Sequence, residues 1–277
     1  MLWEKNKILF IGAGNMGSAI IKGLNKKADS GYEIFFYEPE VSVRSEIAAK
    51  LNAVAVTQID EKIADFDTIV FAVKPQVFRN FPKDEKMAHL SKFVTEKQLV
   101  LSIMAGIPIA TITDFLLNAK KIIRIMPNTP ALVGEAMSVL APSNDVATED
   151  IEFAKEIFES IGLVEVLSEN ALDAVTGLSG SGPAFVMMFV EALTQGGILC
   201  GLTKKTAEKL AVQTVLGSTK MAVESGLSVE ELRHAVTSPG GTTIAGVAAL
   251  EENGFRNSVI KAVRAACIRS EELGKSK

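Results

Sequence analysis

Cysteine and histidine are nearly missing from this chain, with two of each among 277 residues. His89 and His234 lie far apart, and neither pairs with a cysteine at a ligand spacing, so no metal site is expected. Cys200 and Cys267 fall in separate apolar helical patterns and read as buried thiols in a reducing cytoplasm. No Lys/Arg run stands out against a net charge of −4, which argues against a nucleic-acid partner. Long hydrophobic runs are also absent. The strongest after Pro183, Ala184 to Val190, stops at Glu191, well short of the ~20 residues that span a bilayer, so no membrane partner is expected. Residues 1–7 carry Glu4, Lys5 and Lys7 and lead straight into a strand, leaving no room for a secretory leader.

What remains is a chain that is 48% hydrophobic, enough for a large core and two domains. Residues 1–166 alternate strand and helix. Ile8–Ile11, Glu33–Tyr37, Ala53–Val56, Asp67–Val73, Leu99–Ile103, Lys121–Ile125, Ser138–Leu140 and Val164–Val166 read as strands, with helices over Met16–Asn25 and Val43–Leu51. The pattern is that of an α/β, doubly wound Rossmann-type sheet with right-handed crossovers. From residue 167 to 277 the text is all helix: Pro183–Leu199, Lys204–Glu224, Ser228–Val236, Thr242–Glu252 and Asn257–Leu273. The first of these is apolar around most of its circumference and needs partners on every side. A second subunit is expected to supply them.

Gly12-Ala-Gly14-Asn-Met-Gly17 directly follows a strand and opens a helix. Gly12 allows the tight turn, Gly14 lets backbone approach a pyrophosphate, and Gly17 lets helix and strand pack. The expected cofactor contacts therefore begin with Ile11, Gly12, Ala13, Gly14, Asn15, Met16 and Gly17. Glu38 ends the second strand at the spacing where an acid meets the adenosine ribose and repels a 2′-phosphate, which favours NADH. A solvated acid in a turn is the alternative. Ala72-Val73-Lys74-Pro75, Met104-Ala105-Gly106 and the Asn128 segment close successive strands at the carboxyl edge, where a flat ring would lie. Lys74 alone could equally be a surface lysine.

Ser238-Pro-Gly240-Gly241-Thr242-Thr243 sits between two helical patterns, the first opened by a Ser228…Glu231 capping box. Its amides at a helix N-terminus form a cradle for a small anion. Gly12–Gly17, Ala72–Pro75, Met126–Pro130, Thr176-Gly-Leu-Ser-Gly-Ser-Gly-Pro183 and Val236–Thr243 together resemble the pyrroline-5-carboxylate reductase family, over Ile8 to about Leu273. The resemblance implies NADPH- or NADH-dependent reduction of 1-pyrroline-5-carboxylate to L-proline, the last step of proline synthesis. It also implies a homodimer interlocked through the helical domain, further assembly into a decamer, and an active site shared between subunits. Ser238, Gly240, Gly241 and Thr242 are the expected carboxylate cradle. Thr243 is the candidate hydrogen-bond partner of the ring nitrogen and the catalytic residue. Ser179 and Ser181 are expected near the nicotinamide or the ring, or as caps of the following helix. Many relatives carry a small polar residue at the Glu38 position and use NADPH, so family and local electrostatics point to different cofactors. Dual use is expected, with NADH unusually competitive.

The nearest rivals share the plan but not the chemistry. Gly177-x-x-Gly180-x-Gly182-x-x-x-Val186 resembles the β-hydroxyacid dehydrogenase motif, with Val186 where their acid/base lysine stands and Val190 where an asparagine stands. Alcohol oxidation loses its proton shuttle, whereas an imine tolerates the loss. A related imine reductase and a non-catalytic nucleotide sensor remain the other readings.

Overall fold

The computed structural model describes residues 6–26 and 31–275. The leader reading at residues 1–5 lies outside the described residues. The chain forms two compact units. One runs to Gly180 and takes back the chain from Ala266; the other is Ser181–Ala265.

The first unit is built on eight strands: β1 (Asn6–Ile11), β2 (Tyr32–Tyr37), β3 (Val54–Val56), β4 (Thr68–Phe71), β5 (Leu99–Ser102), β6 (Lys121–Met126), β7 (Ala136–Pro142) and β8 (Gly162–Val166). Their order is β3-β2-β1-β4-β5-β6-β7-β8. Side chains alternate across each strand, so Ile8 and Phe10 of β1 enter one apolar layer while Leu9 and Ile11 enter the other. Both faces are covered, which is why these strands read as continuous apolar runs. Helices α1 (Asn15–Lys26), α2 (Val41–Lys50), α3 (Pro75–Arg79), α4 (Leu90–Phe93), α5 (Ile109–Phe115) and α6 (Thr148–Glu159) connect the strands. The winding reverses where β1 pairs with both β2 and β4, and ligand clefts open at the carboxyl ends of strands at such a point.

One pairing departs from uninterrupted parallel winding. β7 runs antiparallel to β6, and β8 then runs parallel to β7. Residues 127–135 hold only the 3₁₀ turn Thr129–Val133 and Gly134 at φ 83°. That is too short for a parallel crossover, which needs a dozen or more residues.

The boundary at Gly180 lies later than residue 166 because the next turns pack on the sheet. Leu172, at the start of α7 (Leu172–Val175), is buried against Val139 and Ala141. Glu169 accepts hydrogen bonds from the buried Arg124 guanidinium at 3.2 Å and from the Ile109 amide at 2.8 Å. The end of the chain returns through Ser270, which donates to Asp173 at 2.6 Å, and through Leu273, whose carbonyl accepts from Arg79 at 3.1 Å.

The second unit is helical: α8 (Gly182–Leu199), α9 (Lys204–Glu224), α10 (Val229–Ala235), α11 (Thr242–Glu252) and the first half of α12 (Phe255–Lys275). α8 and α9 meet closely because Gly197 lies against Ala207, where an added Cβ would stand 3.0 Å from the alanine methyl. Thr203 caps α9 by accepting from the Thr206 amide at 3.3 Å. Little else is buried. Met188 is 72% exposed and Leu199 89%, so one chain leaves the apolar circumference of α8 largely bare. For the same reason the cysteines are not buried as expected: Cys200 is exposed and Cys267 partly so. The continuous helical stretch Glu169–Leu199 is, by length and composition alone, long and apolar enough to cross a bilayer, with mean hydropathy 1.3.

Candidate active site

The glycine fingerprint is shaped by contacts only glycine permits. Gly12 leaves β1 at φ 90°, and a Cβ there would stand 2.7 Å from Val73 Cγ1 and 2.9 Å from the Ala72 carbonyl oxygen. A Cβ on Gly17 would stand 2.9 Å from the Gly12 carbonyl oxygen, so α1 seats directly on the turn. Gly14 differs, because nothing lies within 4 Å of its added Cβ. Two glycines are thus filled by protein, and the middle one faces open space, as close approach of a pyrophosphate requires. Asn15 is exposed, Met16 packs on the core, and Ala13 is buried.

A cleft of about 650 Å³ begins here, lined by Gly12, Gly14, Glu38, Ala72, Val73 and Lys74. Tyr37, Val77, Asn80 and Asp84 line it as well; the sequence reading did not single these out. Burial pushes the Tyr37 phenol up, with Asp84 and Glu38 adding to the effect and Arg44 opposing it. Tyr37 therefore stays a neutral wall of the cleft. A larger hollow of about 800 Å³ lies elsewhere on this unit, beside Phe78 and Phe115, but the fingerprint turn lines this one.

Glu38 does not stand alone. Its carboxylate accepts the Glu40 amide at 3.3 Å, while its main-chain carbonyl accepts the Arg44 guanidinium at 2.9 Å. Arg44 lies six residues downstream, one turn into α2, and that turn brings a cation to the strand end where the sequence shows only acids. Lys74 precedes α3 as its N-cap residue, with Pro75 opening the helix.

The other expected cofactor positions separate. Met104 is buried in the core, whereas Ala105 is exposed. Gly106, at φ 69°, lies beneath the C-terminal helix, with Leu273 Cβ 3.4 Å from an added Cβ. Asn128 uses both ends of its amide within the protein. Its Nδ2 donates to the Ser179 carbonyl at 3.1 Å, and its Oδ1 accepts from the Met137 amide at 2.9 Å.

Residues Thr176–Gly180 form a single π-helical turn (the π-turn), a rare geometry that is frequent at functional sites. The Ser179 hydroxyl donates to the Val175 carbonyl at 3.2 Å, leaving its oxygen lone pairs as its means of contacting a ligand. Ser181 occupies the N-cap position of α8 but makes no capping hydrogen bond. The capping role expected of both serines is therefore not met.

In the helical unit, the capping box predicted from Ser228 and Glu231 is present and opens α10. The segment that follows forms a tight turn: Gly240 sits at φ 69°, and the Gly241 amide donates to the Ser238 carbonyl at 3.1 Å. An added Cβ on Gly241 would stand 2.6 Å from Ser238 Oγ. Gly241 is the N-cap residue of α11; no side chain caps this end, and the first turn carries no acid. The first amides of α11, at Thr242 and Thr243, are orphan donors at the positive end of an eleven-residue helix, a natural seat for a carboxylate.

Residues 169–273 match the family described as pyrroline-5-carboxylate reductase dimerisation. Residues 7–106 match that described as NADP oxidoreductase, coenzyme F420-dependent. The chain is 42% identical to a pyrroline-5-carboxylate reductase of Methanosarcina acetivorans over 98% of this chain and 99% of that protein. It superposes with a TM-score of 0.89 on a pyrroline-5-carboxylate reductase of Coxiella burnetii, 34% identical, covering 98% of this chain and 100% of that one. A Plasmodium falciparum pyrroline carboxylate reductase structure with NADP bound gives a TM-score of 0.84 at 31% identity, covering 98% and 99% of the two chains. With sequence kinship running the length of the chain and a dinucleotide cleft joined to a dimerisation segment, the chain belongs to the pyrroline-5-carboxylate reductase family and is an NAD(P)-dependent oxidoreductase.

Proposed function

We propose that the chain reduces 1-pyrroline-5-carboxylate to L-proline at a site built from two copies, the fingerprint cleft of one and the Ser238–Thr243 turn of the other. The single observation that carries the substrate half is the uncapped N-terminus of α11 behind Gly240 and Gly241. The substrate carboxylate takes the orphan amides of this turn, each charge-assisted bond contributing about 1.5–3 kcal/mol. Bound reduced nicotinamide supplies the hydride that adds to the imine carbon. The ring nitrogen takes its proton from solvent to form the iminium, and the C=N electron pair moves onto that nitrogen as the hydride adds. The Thr243 hydroxyl accepts from its N–H and holds it in place. Val186 fits this chemistry, because a protonated imine is already electrophilic and asks for no lysine shuttle. Catalysis then rests on holding the two reacting atoms together and on the fixed dipoles around the carboxylate.

The cofactor is held by the Gly12–Gly17 turn with Ala72–Lys74 across the cleft, a reading supported by the open space at Gly14. Glu38 and Arg44 act in opposite directions at the adenosine ribose. Glu38 accepts from the ribose hydroxyls of NADH, and Arg44 offsets its charge so that the 2′-phosphate of NADPH is also accepted. The enzyme therefore uses both cofactors. The bare circumference of α8 is covered by a second copy, dimers assemble further into a decamer, and the setting is the cytoplasm.

The test follows reduced-cofactor absorbance with 1-pyrroline-5-carboxylate added to wild type and to Gly241→Ala. Substrate-dependent oxidation is expected in the wild type. The Gly241 amide is already given to the Ser238 carbonyl, so the variant acts through its added Cβ, 2.6 Å from Ser238 Oγ, which displaces the Thr242 and Thr243 amides. KM should rise about 10- to 100-fold, the size of one lost charge-assisted bond, with cofactor binding unchanged. Cofactor binding without oxidation in the wild type would contradict the reading.

A further inference from the structure

The Asn128 amide joins three pieces of the first unit that are distant in sequence. It sits between Pro127 and Pro130, at the head of the 3₁₀ turn that follows β6. One end takes the Met137 amide where β7 begins, and the other gives to the Ser179 carbonyl within the π-turn, 51 residues away. The orientation of the amide is fixed, because the Met137 N–H needs an acceptor and the Ser179 carbonyl a donor. Beside it, Met126 Cε fills the space a Gly180 Cβ would enter at 2.5 Å, so strand end and turn are pressed together. Inside the turn, the Thr176 and Ser179 hydroxyls donate back to the carbonyls of Leu172 and Val175. Such back-bonding weakens regular helix and leaves the widened turn dependent on outside support.

We propose that Asn128 is a positioning residue, whose amide clamps the Thr176–Gly180 π-turn to the end of β6 and so fixes where Ser179 stands for the carboxylated imine. This rests on the proposed reduction. Asn128 touches neither cofactor nor substrate in this account, in contrast to its expected role as a cofactor contact. With both amide ends engaged by the protein, its effect passes through the Ser179 main chain. A turn freed from the clamp relaxes toward ordinary helical winding and carries the Ser179 oxygen away from its set position. Small misplacements at a reacting ring cost rate far more than they cost stability.

Asn128→Asp isolates the clamp. It keeps the acceptor for the Met137 amide and sets an oxygen against the Ser179 carbonyl in place of a donor. In the full-length protein, three quantities are measured: the dissociation constant of NADPH from its fluorescence, kcat and KM for 1-pyrroline-5-carboxylate, and Tm. The expected result is NADPH affinity within about twofold of wild type, a Tm lower by a few degrees at most, and kcat/KM lower by about 10- to 100-fold. If NADPH affinity falls in step with kcat/KM, Asn128 is a cofactor contact and the proposal is overturned. Unchanged kcat/KM overturns it as well. Absence of substrate-dependent oxidation in the wild type would instead remove the underlying function. Should the aspartate variant fail to fold, Asn128→Ala removes both the donor to Ser179 and the acceptor of the Met137 amide without adding charge. Its Tm should fall, and NADPH affinity and kcat/KM are read with the same expected and overturning results.

Discussion

The Arg44 guanidinium donates to the main-chain carbonyl of Glu38 at 2.9 Å. An acid and a cation therefore flank the end of β2, and under the proposed placement of the cofactor the two should pull cofactor choice in opposite directions. Glu38→Ser is expected to raise the ratio of kcat/KM for NADPH over NADH by about tenfold, the size of one charge interaction at a partly exposed site. Arg44→Ala should lower the same ratio. Steady-state rates with both cofactors check this, and an unchanged ratio in Glu38→Ser would remove Glu38 from the ribose.

Gly12 has no space for a side chain, with Val73 Cγ1 at 2.7 Å and the Ala72 carbonyl oxygen at 2.9 Å from its added Cβ. Gly12→Ala is expected to weaken NADPH binding at least about tenfold and to cost about 1–3 kcal/mol of stability, given the added strain at φ 90°. Fluorescence titration and urea unfolding measure the two effects. Gly14→Ala should fold normally, because its added Cβ meets nothing, and should lose cofactor affinity alone.

Arg124 is buried, and its ion pair with Glu169 ties β6 to the start of the helical turns. Glu169→Gln strips the charge that offsets this guanidinium. Since the Glu169 side chain is 32% exposed, the cost should fall below that of a fully buried pair, at about 1–3 kcal/mol. Denaturant unfolding at neutral pH checks it, and a loss under about 0.5 kcal/mol, the range of exposed pairs, would contradict it.

Much of this molecule was legible in its sequence, and the legible parts share a physical reason. β1 was readable because burial on both faces writes a continuous apolar run. α11 was readable from its spaced apolar residues and the Gly-Gly turn before it, although one chain buries none of it, and Thr242–Glu252 stands as read. The Gly12 turn was readable because tight turns constrain residue type locally. Arg44 beside Glu38 was not, because only the first turn of α2 brings a residue six positions away back to the strand. The Asn128–Ser179 bond, spanning 51 residues, leaves no local pattern. The reversal at β7 is written in the shortness of residues 127–135, a signal that strand-by-strand reading passes over. Cys200 and Cys267 were misplaced because helical periodicity records an apolar surface without recording which chain covers it.

The Glu231 carboxylate accepts the Ser228 amide and hydroxyl, both at 2.8 Å. These bonds, the backbone one foremost, hold its pKa below the ordinary 4.5. A depressed carboxyl stabilises the fold above its unfolded pKa, and that contribution is lost as pH falls through the folded value. The loss therefore lies below about pH 4.5. In acid titrations followed by circular dichroism, Glu231→Gln should be less stable than wild type at neutral pH, and the difference should close on acidification. A gap that does not begin to narrow as pH falls below about 4.5 would contradict the assignment.

Subunit mixing tests most directly whether two copies build one site. Gly12→Val should abolish cofactor binding and Gly241→Val the carboxylate cradle, so neither variant alone should turn over substrate. Unfolded together and refolded in equal amounts, they are predicted to recover about a quarter of wild-type activity, the share of sites that pair an intact cleft with an intact turn in statistically mixed dimers. A mixture as inactive as its components, with mixed dimers verified by mass, would contradict the account.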